Sequence, residues 1–443
     1  MSIYKLLLFI PLLAFGFLHA QSVEYRQIKQ LVEQKCLSCH RTNGYAPFSL
    51  EKKDDWMKRK KFISYVIQQN IMPPWKANEH YRSFSNSKAL NKHEKELLLK
   101  WMEADMPGFD AQLIQPAVSA QGSQVSRKPD LIVRMPKPFT IPGNNKNTYI
   151  CYKIPYEIDQ DTFVSGIEFI PGNKAVVHHA SYQIIAVAPD VNVHEGPDYF
   201  VYDADTLNRV RDDHDYAYFK LIGEGNQLPI ELYHNGWLPG TSAQIYPEKM
   251  GFYLPKKGVI LIRNFHYSPT PVAQLDQSSF YLYFAASAPQ RKIGFAAFKP
   301  KNPTPDGKWL IHANDSQFKS HINVKFHNDV SLLAINPHMH QLGKNFLAYA
   351  VTTTQDTIKL IHIPEWDHNW QEFYRFKTLI KIPAGSVLHA EAEYDNSFKN
   401  HENPFSPPKD ILFEWGMNED SEMMRLVLLY LPYANGDDTV SLE

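Results

Sequence analysis

The chain has 443 residues, enough for about three domains of ordinary size. Its 46 basic and 47 acidic residues give a formal net charge of -1, which excludes the basic excess typical of nucleic-acid-binding proteins. Hydrophobic residues at 44% and charged residues at 21% are globular proportions, and 31 prolines with 13% aromatic residues favour a β-rich fold.

Residues 1–20 have the features of an export signal. Lys5 precedes an apolar run, Leu6–Leu18, and Leu18-His19-Ala20 ends in the small residue of a cleavage site. The run is short for a membrane span and contains Pro11, although an N-terminal anchor helix is the alternative. No later segment reaches the roughly 18 apolar residues of a membrane helix. We therefore expect a periplasmic or secreted mature protein without a membrane span.

Residues 21–108 are predicted to form a small helical domain. Val23–Cys36 and Glu51–Gln69 have apolar residues at helical spacing. Asn91-Lys92-His93-Glu94 has the form of a capping box and predicts the start of a third helix, which Pro107-Gly108 ends.

Residues 109–130 have little apolar content and no periodicity, which predicts a linker. After Leu131, short β-branched and aromatic runs alternate with turn residues. The predicted strands are Thr162–Ile170, Ala175–Val187, Gly258–Tyr267, Ser279–Ala285, Val330–Ile335, Phe346–Thr354 and Val387–Tyr394. This region is too long for one sandwich, and a proline-rich sequence interrupts it near Lys299. Two all-β jelly-roll sandwich domains are therefore predicted, at residues 131–298 and 299–443.

Cys36-Leu37-Ser38-Cys39-His40 is the attachment pattern of c-type haem. The thiols of Cys36 and Cys39 would bond the vinyl groups, and His40 would be an axial iron ligand. The alternatives are a thioredoxin-like pair, which needs a βαβ context, a zinc half-site, which needs a second cysteine pair, or chance. We expect one covalently bound haem c and an all-α cytochrome c domain at residues 21–108. Cys151 is then expected to be a buried, inert thiol.

The second axial ligand of that haem should be a thioether or an imidazole downstream. The candidates are Met57, Met72, His80, His93, Met102 and Met106. Met72 is preferred because Pro73 and Pro74 keep the following backbone out of a helix. The segment also resembles the methionine-bearing loop of small cytochromes c. The alternative for Met72 is a core methionine.

Two local histidine patterns stand out among the 19 histidines. His178 and His179 are neighbours on a predicted strand, so they face one metal only if the strand bends or ends there, or if they use different ring nitrogens. His338 and His340 share a strand face and can chelate without distortion. Taken alone, each pair is more often structural than metal-binding. Most of the histidines that receive no role, His368 among them, are expected to be structural.

Several segments, in order over about residues 135–432, resemble the copper type II, ascorbate-dependent monooxygenases, the family of the peptidylglycine α-hydroxylating and dopamine β-type enzymes. The matching segments are Val177-His178-His179, Gly236-Trp237-Leu238-Pro239-Gly240, Asn264-Phe265-His266-Tyr267, His338 to Lys344, Tyr394-Asp395-Asn396-Ser397 and Glu422-Met423-Met424-Arg425-Leu426. Each segment is short, but their order and spacing make the match specific.

The resemblance implies two copper ions in two jelly-roll domains. The implied ligands of an electron-transfer copper are three imidazoles, those of His178, His179 and His266. The implied ligands of a catalytic copper are two imidazoles and a thioether, those of His338, His340 and Met423. Met424 is the alternative sulfur ligand. A thioether favours Cu(I), the oxidation state that meets O2.

The expected function is a copper-dependent monooxygenase that hydroxylates a C–H bond of a small molecule or peptide, with electrons passed from a periplasmic donor through the haem. Asn336, Arg425 and Val427 replace the family's peptide contacts, which argues against peptide amidation. One alternative is a non-catalytic haem and copper electron carrier or copper sensor. A second is a structural or partner-binding β module without bound metal.

Overall fold

The computed structural model describes residues 25–109, 125–202, 212–301, 310–413 and 421–442. The chain divides into two compact units. The first, the helical unit, comprises Met1–Trp75 and Lys88–Val118, and the second, the β unit, comprises Lys76–Ser87 and Ser119–Glu443. The expected export signal and most of the predicted linker lie outside the described residues. Within the described ranges, no helix is both long and apolar enough to cross a membrane.

The described part of the helical unit contains α1 (25–35), α2 (Lys53–Gln68) and α3 (Lys92–Glu103). The capping box of α3 is confirmed. The Asn91 side chain accepts a hydrogen bond from the Glu94 N–H at 2.9 Å, and the Glu94 carboxylate accepts one from the Asn91 N–H at 2.8 Å. These bonds satisfy two donors that the first turn of a helix otherwise leaves without partners.

The helices of this unit bury a shared apolar core. In α2, Trp56, Ile63 and Ile67 lie on one face at helical spacing and are all buried. The Trp56 ring meets the Trp101 ring of α3 edge-on, with centroids 5.5 Å apart, and its Nε1 atom donates to the Leu50 carbonyl at 2.8 Å. Helical packing of this segment agrees with the sequence, while its identity as a cytochrome c domain stays a prediction.

The first half of the β unit has two main sheets. Its elements are β1 (Leu131–Arg134), β2 (Phe139–Ile141), β3 (Thr148–Glu157), β4 (Thr162–Ile170), β5 (Val177–Ala186), β6 (Tyr199–Val201), α4 (Asp212–Tyr218), β7 (Ile230–Trp237), β8 (Gln244–Ile245), β9 (Met250–Leu254), β10 (Lys257–Tyr267), β11 (Gln274–Asp276), β12 (Ser279–Phe284) and β13 (Arg291–Lys292). One sheet has the order β1-β12-β4-β9-β13 with β8 beside β4, and the other β6-β3-β10-β5-β7.

Aromatic side chains join these two sheets. Tyr182 of β5 and Phe280 of β12 have ring centroids 4.7 Å apart, and Phe169 of β4 and Phe265 of β10 have centroids 5.9 Å apart. Contacts of this kind between inward-facing residues form the core of a β-sandwich. The strand β10 is central in its sheet, and its last residues therefore have neighbours on both sides.

The second half of the β unit is also built from sheets. Its strands are β14 (Gly294–Phe298), β15 (Leu310–Ile311), β16 (Phe318–Lys325), β17 (Val330–His338), β18 (Gly343–Val351), β19 (Thr357–Ile363), β20 (Tyr374–Ile382), β21 (Val387–Tyr394), β22 (Ile411–Phe413), β23 (Ser421–Glu422) and β24 (Arg425–Pro432). The sheet orders are β14-β24-β17-β20, β16-β21-β18-β19 and β15-β22-β23. The β-rich prediction is confirmed, and the jelly-roll topology stays a prediction.

The segment Lys76–Ser87, which the sequence places between two helices, packs with the β unit. We call it the strap. Phe84 forms a bridge with Phe376, and its buried ring also lies 5.2 Å from that of Tyr374. Asn86 binds the backbone on both sides, donating to the Phe373 carbonyl and accepting from the Arg375 N–H, each at 2.9 Å. The strap therefore covers the outer edge of β20 at the start of the strand.

Candidate metal centres

His178, His179 and His266 come together where β5 and β10 pair. His266 is opposite His179, but the next residue of β10, Tyr267, is opposite Val177. This register shift leaves His178 as an extra residue on β5, a β-bulge. A bulge bends the strand, and neighbouring histidines then no longer have to face opposite sides of the sheet. The strand thus bends at His178, as it must if His178 and His179 are to face the same metal ion.

The three imidazoles present nitrogen atoms to one another. The Nδ1 atom of His178 lies 3.2 Å from that of His179 and 3.1 Å from that of His266. One ligand atom from each residue lies within 4.8 Å of the other two. A search of the described residues for three histidine, cysteine or acidic side chains close enough to bind one metal ion finds this cluster.

Two neighbours orient the ring of His266. Its Nε2 atom donates to the Asn147 side-chain oxygen at 2.8 Å, which places the proton on Nε2 and leaves the Nδ1 lone pair free. Tyr149 stacks on the same ring, with centroids 4.2 Å apart and planes 10° from parallel. Metal-binding histidines are commonly fixed in this way, through the nitrogen that does not touch the metal.

Electrostatics keeps this group neutral. Burial lowers the pKa of His178, His179 and His266, and neighbouring imidazoles lower the pKa of His179 and His266 further. A neutral imidazole is the form that binds a metal ion. The donor set, three neutral nitrogens facing one point, fits copper as well as zinc, because imidazole is a ligand of both.

The second candidate group lies at the ends of β17 and β24. His338 is opposite Arg425 in the pairing of these strands, so His340 and Met423 extend from the same end of the pair. The ring centroids of His338 and His340 are 5.2 Å apart. Met423 is buried, and the Tyr394 hydroxyl donates to its carbonyl at 3.1 Å.

The two imidazoles of this group are each held through Nδ1. His338 Nδ1 contacts the side-chain oxygen of Gln371, and His340 Nδ1 donates to the Ser421 carbonyl at 2.8 Å. In both rings the Nε2 atom therefore remains available to bind a metal ion. Burial lowers the pKa of both, so both are neutral. Two neutral imidazoles with a thioether nearby in the fold fit the soft-ligand preference of Cu(I).

His368, for which no role was predicted, lies beside this second group. Its ring centroid is 6.2 Å from that of His340, and Gln371 contacts both His338 and the Nδ1 atom of His368. Burial, followed by His340 and His178, lowers the pKa of His368 to about 4. His368 interacts electrostatically with histidines of both groups. Gln371 and Asn147 also carried no sequence signal, and Glu422 belongs to a matching segment but was given no role there.

The Cys36–His40 segment of the helical unit meets the local requirements of a haem c site. Cys36 and Cys39 are both half-buried. The His40 N–H donates to the Cys36 carbonyl at 2.9 Å, a helical turn that places the histidine next to the thiols. His40 Nδ1 donates to the Phe48 carbonyl at 3.0 Å and leaves Nε2 for iron.

Surroundings distinguish the six candidates for a second axial ligand. Met102 and Met106 are fully buried in the apolar core, and Met57 is exposed. His93 is exposed at the start of α3, and His80 belongs to the strap and therefore to the β unit. Met72 is half-buried just after α2, where its N–H donates to the Val66 carbonyl at 3.1 Å. Met72 stays the preferred candidate.

Cys151 is a buried thiol, as expected. Burial is the main cause that raises its pKa well above the usual range, and Asp215 adds to the effect.

Asn336 is one of the residues that, by the resemblance, replace peptide contacts. It is buried and donates to the Glu372 carbonyl at 2.8 Å. The Asn336 amide therefore makes its hydrogen bond within the protein and is not a contact for a substrate carboxylate.

Comparisons with known proteins give one informative match. Solved structures with some similarity include an infectious bursal disease virus VP2 subviral particle, at 6% identity, covering 71% of this chain and 75% of that one with a TM-score of 0.19. They also include PNGF-II, at 8% identity, covering 68% and 65% with a TM-score of 0.24. No conclusion about fold or function follows from such values, and no curated protein matches. Residues 304–433 match the family described as copper type II ascorbate-dependent monooxygenase, C-terminal domain.

Proposed function

We propose that the protein is a copper-dependent monooxygenase that uses O2 to hydroxylate a C–H bond of a small-molecule or peptide substrate. The convergence of the three imidazoles at the β5–β10 bulge carries the proposal. The family match supports it, because His338, His340 and Met423 all lie within residues 304–433. An electron-transfer ion at the first group and a catalytic ion at the second is the division of roles that the resemblance implies.

Bound copper would supply one-electron redox chemistry and a place for O2. Hydroxylation consumes one O2, two electrons and two protons for each C–H bond converted, and it releases one water. The chain's own contribution is to hold neutral imidazoles at fixed orientations. Asn147 does this for His266, Gln371 for His338, and the Ser421 carbonyl for His340. Preset ligand orientation reduces the reorganisation that a change of oxidation state requires.

We also propose that a haem c bound to Cys36 and Cys39 would store an electron from a periplasmic donor protein, with His40 and Met72 as axial ligands. The free Nε2 atom of His40 supports this assignment. His/Met ligation raises the reduction potential of a haem, which suits a carrier between a donor and copper. The signal-like residues 1–20 support a location outside the cytoplasm, where c-type haem attachment and copper loading are compatible.

Metal content per chain tests the proposal directly. On haem-loaded protein we expect two copper ions and one iron, falling to about one copper in His340→Ala. The control is His321→Ala, an exposed histidine of β16 in the same half of the β unit, which should keep two. One iron without stoichiometric copper would contradict the proposal. Two coppers without any oxygenated product across a substrate screen would instead favour a haem and copper electron carrier.

A further inference from the structure

Glu422 is a buried carboxylate that binds two segments far apart in sequence. It is 0% exposed. One of its oxygens accepts hydrogen bonds from the backbone N–H groups of His340 at 2.5 Å and Met423 at 2.9 Å. The other accepts from the Leu342 N–H at 3.0 Å. A single side chain thus joins the turn after β17 to the start of β24.

The same short segment also orients the ring of His340. The Ser421 carbonyl, one residue before Glu422, accepts from His340 Nδ1 at 2.8 Å. His340 is therefore held at its backbone by Glu422 and at its ring by Ser421. Met423, the expected sulfur ligand, follows directly in the chain, so these bonds fix its position relative to His340.

The hydrogen bonds to Glu422 satisfy its buried carboxyl group. Its described donors are the backbone N–H groups of His340, Leu342 and Met423. Burying a polar side chain costs free energy unless hydrogen bonds compensate, and here the bonds that compensate are the ones that join the two segments.

We propose that Glu422 is a positioning residue of the second metal site: it holds the Met423 segment against the His340 turn so that thioether and imidazoles can bind the same ion. The inference rests on the proposed function, since it requires copper at His338, His340 and Met423.

Glu422→Gln tests this role because it keeps the shape of the side chain. An amide has one acceptor oxygen and one NH2 group, so either the His340 and Met423 N–H groups or the Leu342 N–H would face a donor. We expect Cu(I) affinity at the second site to fall by about tenfold or more, the usual effect of losing a residue that supports metal ligands. We also expect the copper–sulfur contribution to the X-ray absorption of the Cu(I) form to be lost.

The control is Glu402→Gln, an exposed carboxylate in the same half of the β unit, which should behave as wild type. Glu422→Gln with wild-type Cu(I) affinity and an intact copper–sulfur signal would overturn the inference. If this variant does not fold, Glu422→Asp replaces it, because the shorter carboxylate keeps the charge but cannot reach both segments. An unchanged affinity and sulfur signal in folded Glu422→Asp would overturn the inference equally.

The two failures are distinguishable. If wild type binds no copper, or His340→Ala still binds two, the proposed function itself fails. If wild type binds two, His340→Ala one, and Glu422→Gln matches wild type in affinity and sulfur signal, only the role of Glu422 fails.

Discussion

His178 and His266 are 88 residues apart in sequence, yet their Nδ1 atoms are 3.1 Å apart. That separation is one that two ligands of a single metal ion can have when each metal–nitrogen bond is about 2.0 Å long. The strand pairing alone would have brought only His179 opposite His266, and the bulge adds His178. Two neighbouring strands therefore supply all three imidazoles, and Asn147 and Tyr149 orient one of them.

His266→Ala should remove one copper from the first group and leave the second group occupied. We expect the copper content of the loaded protein to fall from two to about one, because two imidazoles bind far more weakly than three. The Cu(II) electron paramagnetic resonance spectrum should lose one component. The matched control is His194→Ala, an exposed histidine of the same half that pairs with Glu157 at 3.7 Å. Unchanged metal content in His266→Ala would exclude the first site.

Asn147→Ala should weaken the same site without removing a ligand. The Asn147 side chain accepts the His266 Nε2–H at 2.8 Å, and its loss frees the ring to rotate and to change tautomer. Loss of a partner of this kind lowers metal affinity by roughly 10- to 100-fold. Copper titration in the presence of a competing chelator measures the change. Asn144→Ala, which removes a nearby exposed amide, should show wild-type affinity.

In protein loaded with the proposed haem c, Met72→Ala should lower the reduction potential of that haem. A thioether stabilises the reduced iron, so its loss favours the oxidised form. Redox titration followed by the haem absorption spectrum measures the shift. The exposed Met57 provides the control Met57→Ala, for which no shift is expected. A potential in Met72→Ala equal to that of wild type would assign the axial position to another residue.

Asp437→Asn should destabilise the β unit most strongly near neutral pH. The buried Asp437 carboxylate binds the Arg291 guanidinium through two hydrogen bonds, at 2.6 and 2.8 Å. Burial alone would raise the pKa of Asp437, but the bonds from Arg291, Ser331 and the Ala434 N–H lower it to about 2. A carboxyl group with a folded-state pKa below its unfolded value of about 3.9 stabilises the fold above that value.

This contribution to the free energy of unfolding is about 2 kcal/mol, and it is lost as the pH falls from about 4 towards 2. Urea unfolding of wild type and Asp437→Asn at several pH values between 3 and 7 measures it. The difference between the two proteins should shrink at the acid end. Asp438→Asn changes the neighbouring exposed carboxylate and serves as the control. A difference that is constant with pH would contradict the assignment.

Local sequence patterns predicted much of the fold. The strands Thr162–Ile170 and Val387–Tyr394 coincide with β4 and β21, because β-branched and aromatic runs bounded by turn residues are visible within the strand itself. The capping box at Asn91 is local as well. What these features share is that every residue involved lies within a few positions of the others.

The supports of the candidate sites could not be predicted in the same way. The bulge at His178 depends on which strand pairs with β5 and in which register. Gln371 reaches His338 across 33 residues, and Glu422 reaches His340 across 82. A glutamate or glutamine carries no local pattern that marks it as a partner of a distant histidine. Sequence resemblance indicated the ligands, but only the fold shows what holds them.

The strap makes the two units interleaved along the chain. β20 is the last strand of its sheet, and the start of its outer edge is covered by residues that come from between α2 and α3. Removing residues 1–109 would uncover Phe376 and Tyr374 and expose backbone groups at a strand edge, a surface that promotes self-association. Any gene fusion that replaces the helical unit would therefore have to keep Lys76–Ser87, because the β unit takes part of its own structure from within the helical sequence.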